Sequence, residues 1–158
     1  MRVSASEIEL TLQKATIGLG LGIGCGAEAG RAALTMARHN IDLASIFAAA
    51  FDNISSGRSR TYDNARAFDG VFAPTQAERH LSSIIAAPTI CDFLAVGTGQ
   101  LVAESVDFPM ILLMSLLSHG LEIECEKLGD ERVVIFSKAG NLRYENGEIE
   151  SFQKPSSL

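Results

Sequence analysis

At Gly120 the apolar pattern of this chain changes its period, and that change decides the fold class. Before it, apolar residues recur every three to four positions, the spacing of one helical face. After it, Leu121, Ile123 and Cys125 alternate with Glu122, Glu124 and Glu126, the spacing of a half-exposed strand. Residues 132–137 (RVVIFS) are apolar on both faces and read as an interior partner strand. Gly129-Asp130 supplies a two-residue turn, and pairing Leu128 with Glu131 sets Cys125 opposite Val134 and Ile123 opposite Phe136. A turn at Ala139-Gly140-Asn141, a strand over 142–145, an Asn146-Gly147 hairpin turn and a strand over 148–152 complete the pattern. The expectation is an α+β chain whose N-terminal helical half packs on a C-terminal antiparallel β-meander. A length of 158 residues suits one domain, here 1–153, with 154–158 as a frayed tail.

The helical half carries its own punctuation. Ser4 or Ser6, each with a Glu three residues on, opens a helix through Ile8, Leu12, Ala15 and Leu19 that ends near Gly18. Glycines alternate from Gly18 to Gly26, and so dense a run reads as a tight or close-packed connection over about 18–24. A second helix spans 27–39, with Asn40 at its C-terminal end, and Asp42 caps a third through Phe51. Residues 53–70 show little periodicity and read as a long loop. Thr75 and Glu78 signal a helix running toward Ala86, Pro88 restarts the chain, and 89–96 fits a short helix or a buried strand. Residues 101–106 suit a strand. Pro109 begins a helix to His119 that is apolar nearly all round, so it belongs in a core or a subunit interface. The aliphatic supply of 81–87, 109–117 and 132–137 is generous for one core, which predicts a homo-oligomer.

Charge narrows the partners. Residues 1–79 carry eight basic and eight acidic side chains, while 80–158 carry five and eleven, which accounts for the net charge of −6. An acidic half with no Lys or Arg between Arg79 and Lys127 argues against nucleic acid and against anionic membrane surfaces. The longest apolar stretch, 109–119, is too short to span a bilayer, and no targeting segment follows Met1-Arg2. The three cysteines (Cys25, Cys91, Cys125) form no C-x-x-C pair and sit in small or apolar surroundings, which predicts reduced, buried thiols in a cytoplasmic protein.

Three groups of residues could carry chemistry. Asp92 and Glu104 are carboxylates in very apolar sequence, and Glu28 lies beside Arg31 on the second helix. A carboxylate forced inside must be paired or protonated, which makes Asp92 and Glu28 candidate acids or bases and Glu104 a weaker one. Arg58, Arg60 and Arg66, with Tyr62, could hold a small anionic ligand from the 53–70 loop. Gly24-x-Gly26-x-x-Ala29 matches a dinucleotide fingerprint, although no strand precedes it; close helix packing is the competing reading. His39 and His119 fall at helix ends, where an imidazole suits the C-terminal dipole, and His80 reads as a surface residue. The histidines show no metal-ligand spacing, so neither a metal nor a cofactor is expected.

Val3-Ser4-x-x-Glu7-Ile8, Lys14-Ala15, Gly18-x-Gly20 and Ala27-Glu28-Ala29-Gly30-Arg31-Ala32-Ala33 resemble a bacterial family, domain of unknown function 3726. The segment from Ala87-Pro88 to Asp92, the Pro109 helix and the turn-rich C-terminal strands extend the likeness over most of the chain. The resemblance implies a small, soluble bacterial protein. It brings no reaction, and it marks Glu28 and Asp92 as positions to test. With no assembled catalytic signature, the preferred expectation is a non-catalytic small-molecule-binding or accessory protein. The alternatives are an enzyme that uses Asp92 or Glu28 with the arginine loop, and nucleotide binding at the glycines.

Overall fold

The structure, a computed structural model, describes residues 4–96, 101–121, 124–128 and 133–137. The chain is α+β. Helix α1 (Ala5–Gly18) begins at a reciprocal cap. Glu7 N–H donates to Ser4 Oγ at 3.3 Å, and Ser4 N–H donates to the Glu7 carboxylate at 2.8 Å. Gly20, at φ +82°, turns the chain into α2 (Ile23–Arg38). Helix α2 starts four residues earlier than the glycine spacing suggests, because its glycines are needed at the crossing with α1. A Cβ on Gly30 would lie 2.9 Å from the Glu9 carbonyl oxygen, and one on Gly26 would lie 3.1 Å from that of Gln13. Two glycines one turn apart thus let the α1 backbone rest against α2, at some cost in helix propensity.

Asn40 takes the left-handed conformation (φ 56°) after α2. Asp42 then caps α3 (Leu43–Ser55) by accepting from Ser45 N–H at 3.2 Å. Helix α3 runs four residues beyond Phe51. The stretch expected to be a loop is structured: β1 (Ser59–Arg60), the short helix α4 (Asn64–Phe68) capped by Asp63, and β2 (Val71–Phe72). No helix forms over 75–79. β3 (His80–Leu81) precedes α5 (Ser83–Val96), which carries Pro88 inside it. β4 (Leu101–Glu104) leads to α6 (Pro109–Ser118), which His119 caps and Gly120 (φ +69°) ends. β5 (Glu124–Leu128) and β6 (Val133–Ser137) follow.

The sheet is mixed, and the expected meander of consecutive strands is not what forms. Strand order is β2-β4-β6-β5, with β2 and β4 parallel and the other two pairs antiparallel. β6 has β4 and β5 on its two sides. Central β6 has the two neighbours that its apolar sequence called for, but one of them comes from earlier in the chain. Cys125 pairs with Phe136 rather than Val134, and Leu128 with Val133 rather than Glu131. This slip of two residues is even, so each residue keeps its parity in the ladder. The strands expected over 142–145 and 148–152, and the tail 154–158, lie outside the described residues. A separate parallel pair, β1 and β3, aligns Ser59 with His80.

Helix α2 packs on α1, α5 and α6, and α6 also packs on α5. Residues Ile111 to Leu116 of α6 are all buried within the chain's own core, joined by Phe72, Leu101 and Ala103 from the sheet. The apolar helix is therefore central in the chain's own core. Among the described residues, no helix is long and apolar enough to cross a membrane.

Asp107 ties the middle of the chain together. It is buried, accepts from the Ser59 hydroxyl of β1, and accepts from Ser83 N–H at the start of α5 at 2.8 Å. Leu81 N–H donates to the Ser105 carbonyl at 3.0 Å, and Asp107 N–H donates to that of Leu81 at 2.9 Å. These bonds hold Ser105 (φ 50°) and Phe108 (φ 36°) in left-handed conformations that neither would choose alone. Burial pushes the Asp107 carboxyl up, against the opposing pull of the Ser59 and Ser83 donors.

Candidate functional site at the junction of α2, α5 and α6

Helix α2 is rich in Ala and Gly and passes close to both α5 and α6. At that junction it carries one carboxylate inward. Glu28 is buried, with a side chain 6% exposed, and is held by two cations or donors from opposite sides. Arg31, one turn along α2, pairs with its Oε1. His119, at the C-terminal cap of α6, places Nε2 3.0 Å from both Oε1 and Oε2, so the imidazole donates to the carboxylate. Cys91 of α5 completes the group. One ligand-type atom from each of Glu28, Cys91 and His119 lies within 4.8 Å of the others. Glu28 and Cys91 are buried, and the cluster reaches solvent through His119 and the 40% exposed Arg31 side chain.

The electrostatics follow from that arrangement. Burial, reinforced by the negative charge of Glu28, pushes the Cys91 thiol up to about 12; Arg31 opposes weakly. Cys25, one turn before Glu28 on α2, is raised for the same reasons, burial first. A thiol held protonated is a poor nucleophile. Oxygen, nitrogen and sulfur donors converge from α2, the cap of α6 and α5.

The other candidate residues lie apart from it. Asp92 is exposed on the outer face of α5, not buried as its apolar neighbours suggested. It points outward because the buried positions of α5 are Ser83, Ile84, Ala86, Ala87, Ile90, Cys91 and Leu94. Glu104 is half-buried and receives Arg66 at 3.0 Å. Arg58 pairs with Asp52 and donates to Asn53 Oδ1 at 2.8 Å. The Arg60 guanidinium lies against Gly57, where a Cβ would sit 2.5 Å from it. Tyr62 shares a 2.7 Å hydrogen bond with the Thr89 hydroxyl and sets its ring edge-on to Phe72. Arg58 and Arg66 are thus paired with carboxylates, and Tyr62 with a hydroxyl. The fingerprint glycines do not form a phosphate loop either. They follow a helix, Gly26 N–H is used by the Gly22 carbonyl at 3.1 Å, and Ala29 is buried inside α2.

The sequence singled out Glu28 and placed His119 at a helix end, but it did not join them to Cys91. The three positions are 63 and 28 residues apart, and no local spacing rule connects them. The hint available was a lone Glu in an Ala/Gly helix, which must find a partner when that helix is buried. The chain matches no protein-family model, no curated protein and no solved structure.

Proposed function

We propose that this is a non-catalytic binding protein, cytoplasmic and homo-oligomeric, that holds a small ligand where α2, α5 and α6 meet. The observation that carries the reading is the Glu28–Arg31–His119–Cys91 cluster in an otherwise apolar helix junction. Stability does not require such a cluster, because well-packed apolar side chains of similar volume serve a core at least as well as a buried ion pair. Polar groups that converge there and reach solvent through His119 and Arg31 are better explained by a ligand. Binding is favoured over acid/base or nucleophilic catalysis because the carboxylate is engaged and the thiol stays protonated. The free thiols of Cys25 and Cys91 suit a reducing compartment. Leu10 and Ile17 support self-association: they are 49% and 40% exposed, two turns apart on one face of α1. The resemblance to domain of unknown function 3726 adds no reaction to this reading.

Thermal shift of the intact chain, first stripped of metal, against a panel of amino acids, organic acids, nucleotides and divalent cations tests the site. At least one compound should raise the melting temperature through binding linkage, and Glu28→Gln should abolish that response. A panel with no response, or a response that survives Glu28→Gln, overturns the reading. Light scattering that finds a monomer at micromolar concentration removes the oligomer from it.

A further inference from the structure

The Glu28–Cys91–His119 group is a built ligand set, and the geometry points to a site for a divalent transition-metal cation of the zinc class. The inference rests on the junction being a binding site, and it names the ligand. Three donor types meet there: a carboxylate oxygen, an imidazole nitrogen and a thiol sulfur. Borderline cations such as Zn2+ accept all three, whereas Ca2+ and Mg2+ require oxygen throughout.

Distances agree with that assignment. Zinc bonds of roughly 2.0–2.3 Å at tetrahedral angles put ligand atoms about 3.3–3.6 Å apart. The His119 to Glu28 separations of 3.0 Å are hydrogen-bond distances, and that nitrogen–oxygen edge must open by only about 0.3 Å to admit the cation. All three donors lie within 4.8 Å of one another, so sulfur needs to approach by about an ångström, within reach of a rotamer adjustment.

Arg31 does not block the cation. It holds Oε1 of Glu28, while Oε2 meets only the imidazole, so the guanidinium fixes the carboxylate as outer-shell partners of metal ligands do. When the cation enters, the Cys91 thiol releases one proton to solvent and the sulfur–metal bond forms in its place. The His119 nitrogen that faces Glu28 passes its proton to the other ring nitrogen and ligates with its lone pair. The dication then faces two anionic ligands and Arg31. His119 is exposed, so water can reach the cation past it.

The test is titration of the intact chain with Co2+, a spectroscopic substitute for Zn2+, with Zn2+ competition. Expected are one Co2+ per chain, a sulfur-to-cobalt charge-transfer band, its displacement by Zn2+, and loss of the band in Cys91→Ser. His119→Asn, at an exposed helix end where folding is safe, should weaken binding at least about tenfold. Cys25→Ser should leave the band intact. Absence of the band in the folded wild type, or a band that Cys25→Ser removes and Cys91→Ser spares, overturns the metal. If the band is absent while an organic ligand still gives the Glu28-dependent thermal shift, the metal proposal fails and the binding reading stands.

Discussion

Replacing Gly30 by alanine should destabilise the protein, while the same change at Gly24 should stabilise it, although both glycines are in α2. Intrinsic helix propensity favours alanine by up to about 1 kcal/mol at either position. The difference lies in what the new methyl group meets. At Gly24 nothing lies within 4 Å. At Gly30 it would sit 2.9 Å from the Glu9 carbonyl oxygen and 3.0 Å from Glu9 Cγ, against an ordinary contact of 3.4 Å or more. Helix α1 must therefore retreat by about half an ångström along a backbone-to-backbone seam that cannot yield by a rotamer change. Overpacking of this kind costs about 1–3 kcal/mol. The propensity gain cancels between the two variants, so they should differ by about that amount, or by roughly 2–12 °C in melting temperature for a chain of this size. Urea denaturation gives the energies. Hydrogen exchange locates the damage, because α1 packs chiefly on α2 and should lose protection before α5 or α6 does. If Gly30→Ala stabilises as much as Gly24→Ala does, the helices do not cross at backbone contact, and the account of the glycine run is wrong.

Three further outcomes follow from named side chains. The Asp107 carboxyl is raised by burial, so its contribution to stability is fully present below about pH 4 and is lost as pH rises through the raised value. Stability of wild type relative to Asp107→Asn should therefore fall as pH climbs from about 4 and then level off, as read by urea midpoints; a difference that rises with pH would reverse the sign of the reasoning. Glu28→Ala should cost about 1–3 kcal/mol, below the upper range for broken buried pairs because the Arg31 side chain is 40% exposed and can reach water; a loss under about 0.5 kcal/mol by chemical denaturation would mean that the pair contributes nothing. The half-exposed Arg66–Glu104 pair should show a coupling of no more than about 1 kcal/mol in a double-mutant cycle, shrinking as salt is added; a salt-independent coupling would contradict this.

Signals within one turn of a helix end were readable in advance. Ser4 with Glu7, Asp42 before α3, Asn40 after α2, and Pro109 with Gly120 around α6 each act through a hydrogen bond or a backbone angle that the residue type itself supplies. Pro88 misled for a physical reason. It removes one backbone donor from α5, which reads as a break, yet Ile84, Ala87, Cys91 and Leu94 recur at helical spacing and are all buried. Burial of that face outweighs one missing bond. A strand over 101–106 was readable and forms as β4, but β1, β2 and β3 were hidden because their partners are distant: β1 pairs with β3 and β2 with β4, in contacts that no local alternation encodes, as is the place of β4 beside β6. Asp92 was misplaced because an apolar neighbourhood in sequence need not be one in space, since a helix turns its residues to opposite sides. The site was half legible. Glu28 stood out, whereas Cys91 and His119 joined it only through the packing of α5 and α6 on α2.

That packing is fixed by two devices that act on different helices. The glycine seam sets α1 against α2, whereas the three donors Glu28, Cys91 and His119 come from α2, α5 and the cap of α6. The Asp107 bonds set where α5 begins, two residues before α6 itself begins. Cys91 lies in the third turn of α5 and His119 at the far end of α6, so the spacing of sulfur from imidazole depends on how those two helices start relative to each other. Glu28 enters between them from α2, the helix that contacts both. The core therefore divides into a seam that secures the N-terminal helix and a clasp that sets the donor geometry. A ligand that draws sulfur, nitrogen and oxygen together would tighten the contacts among α2, α5 and α6 without engaging α1.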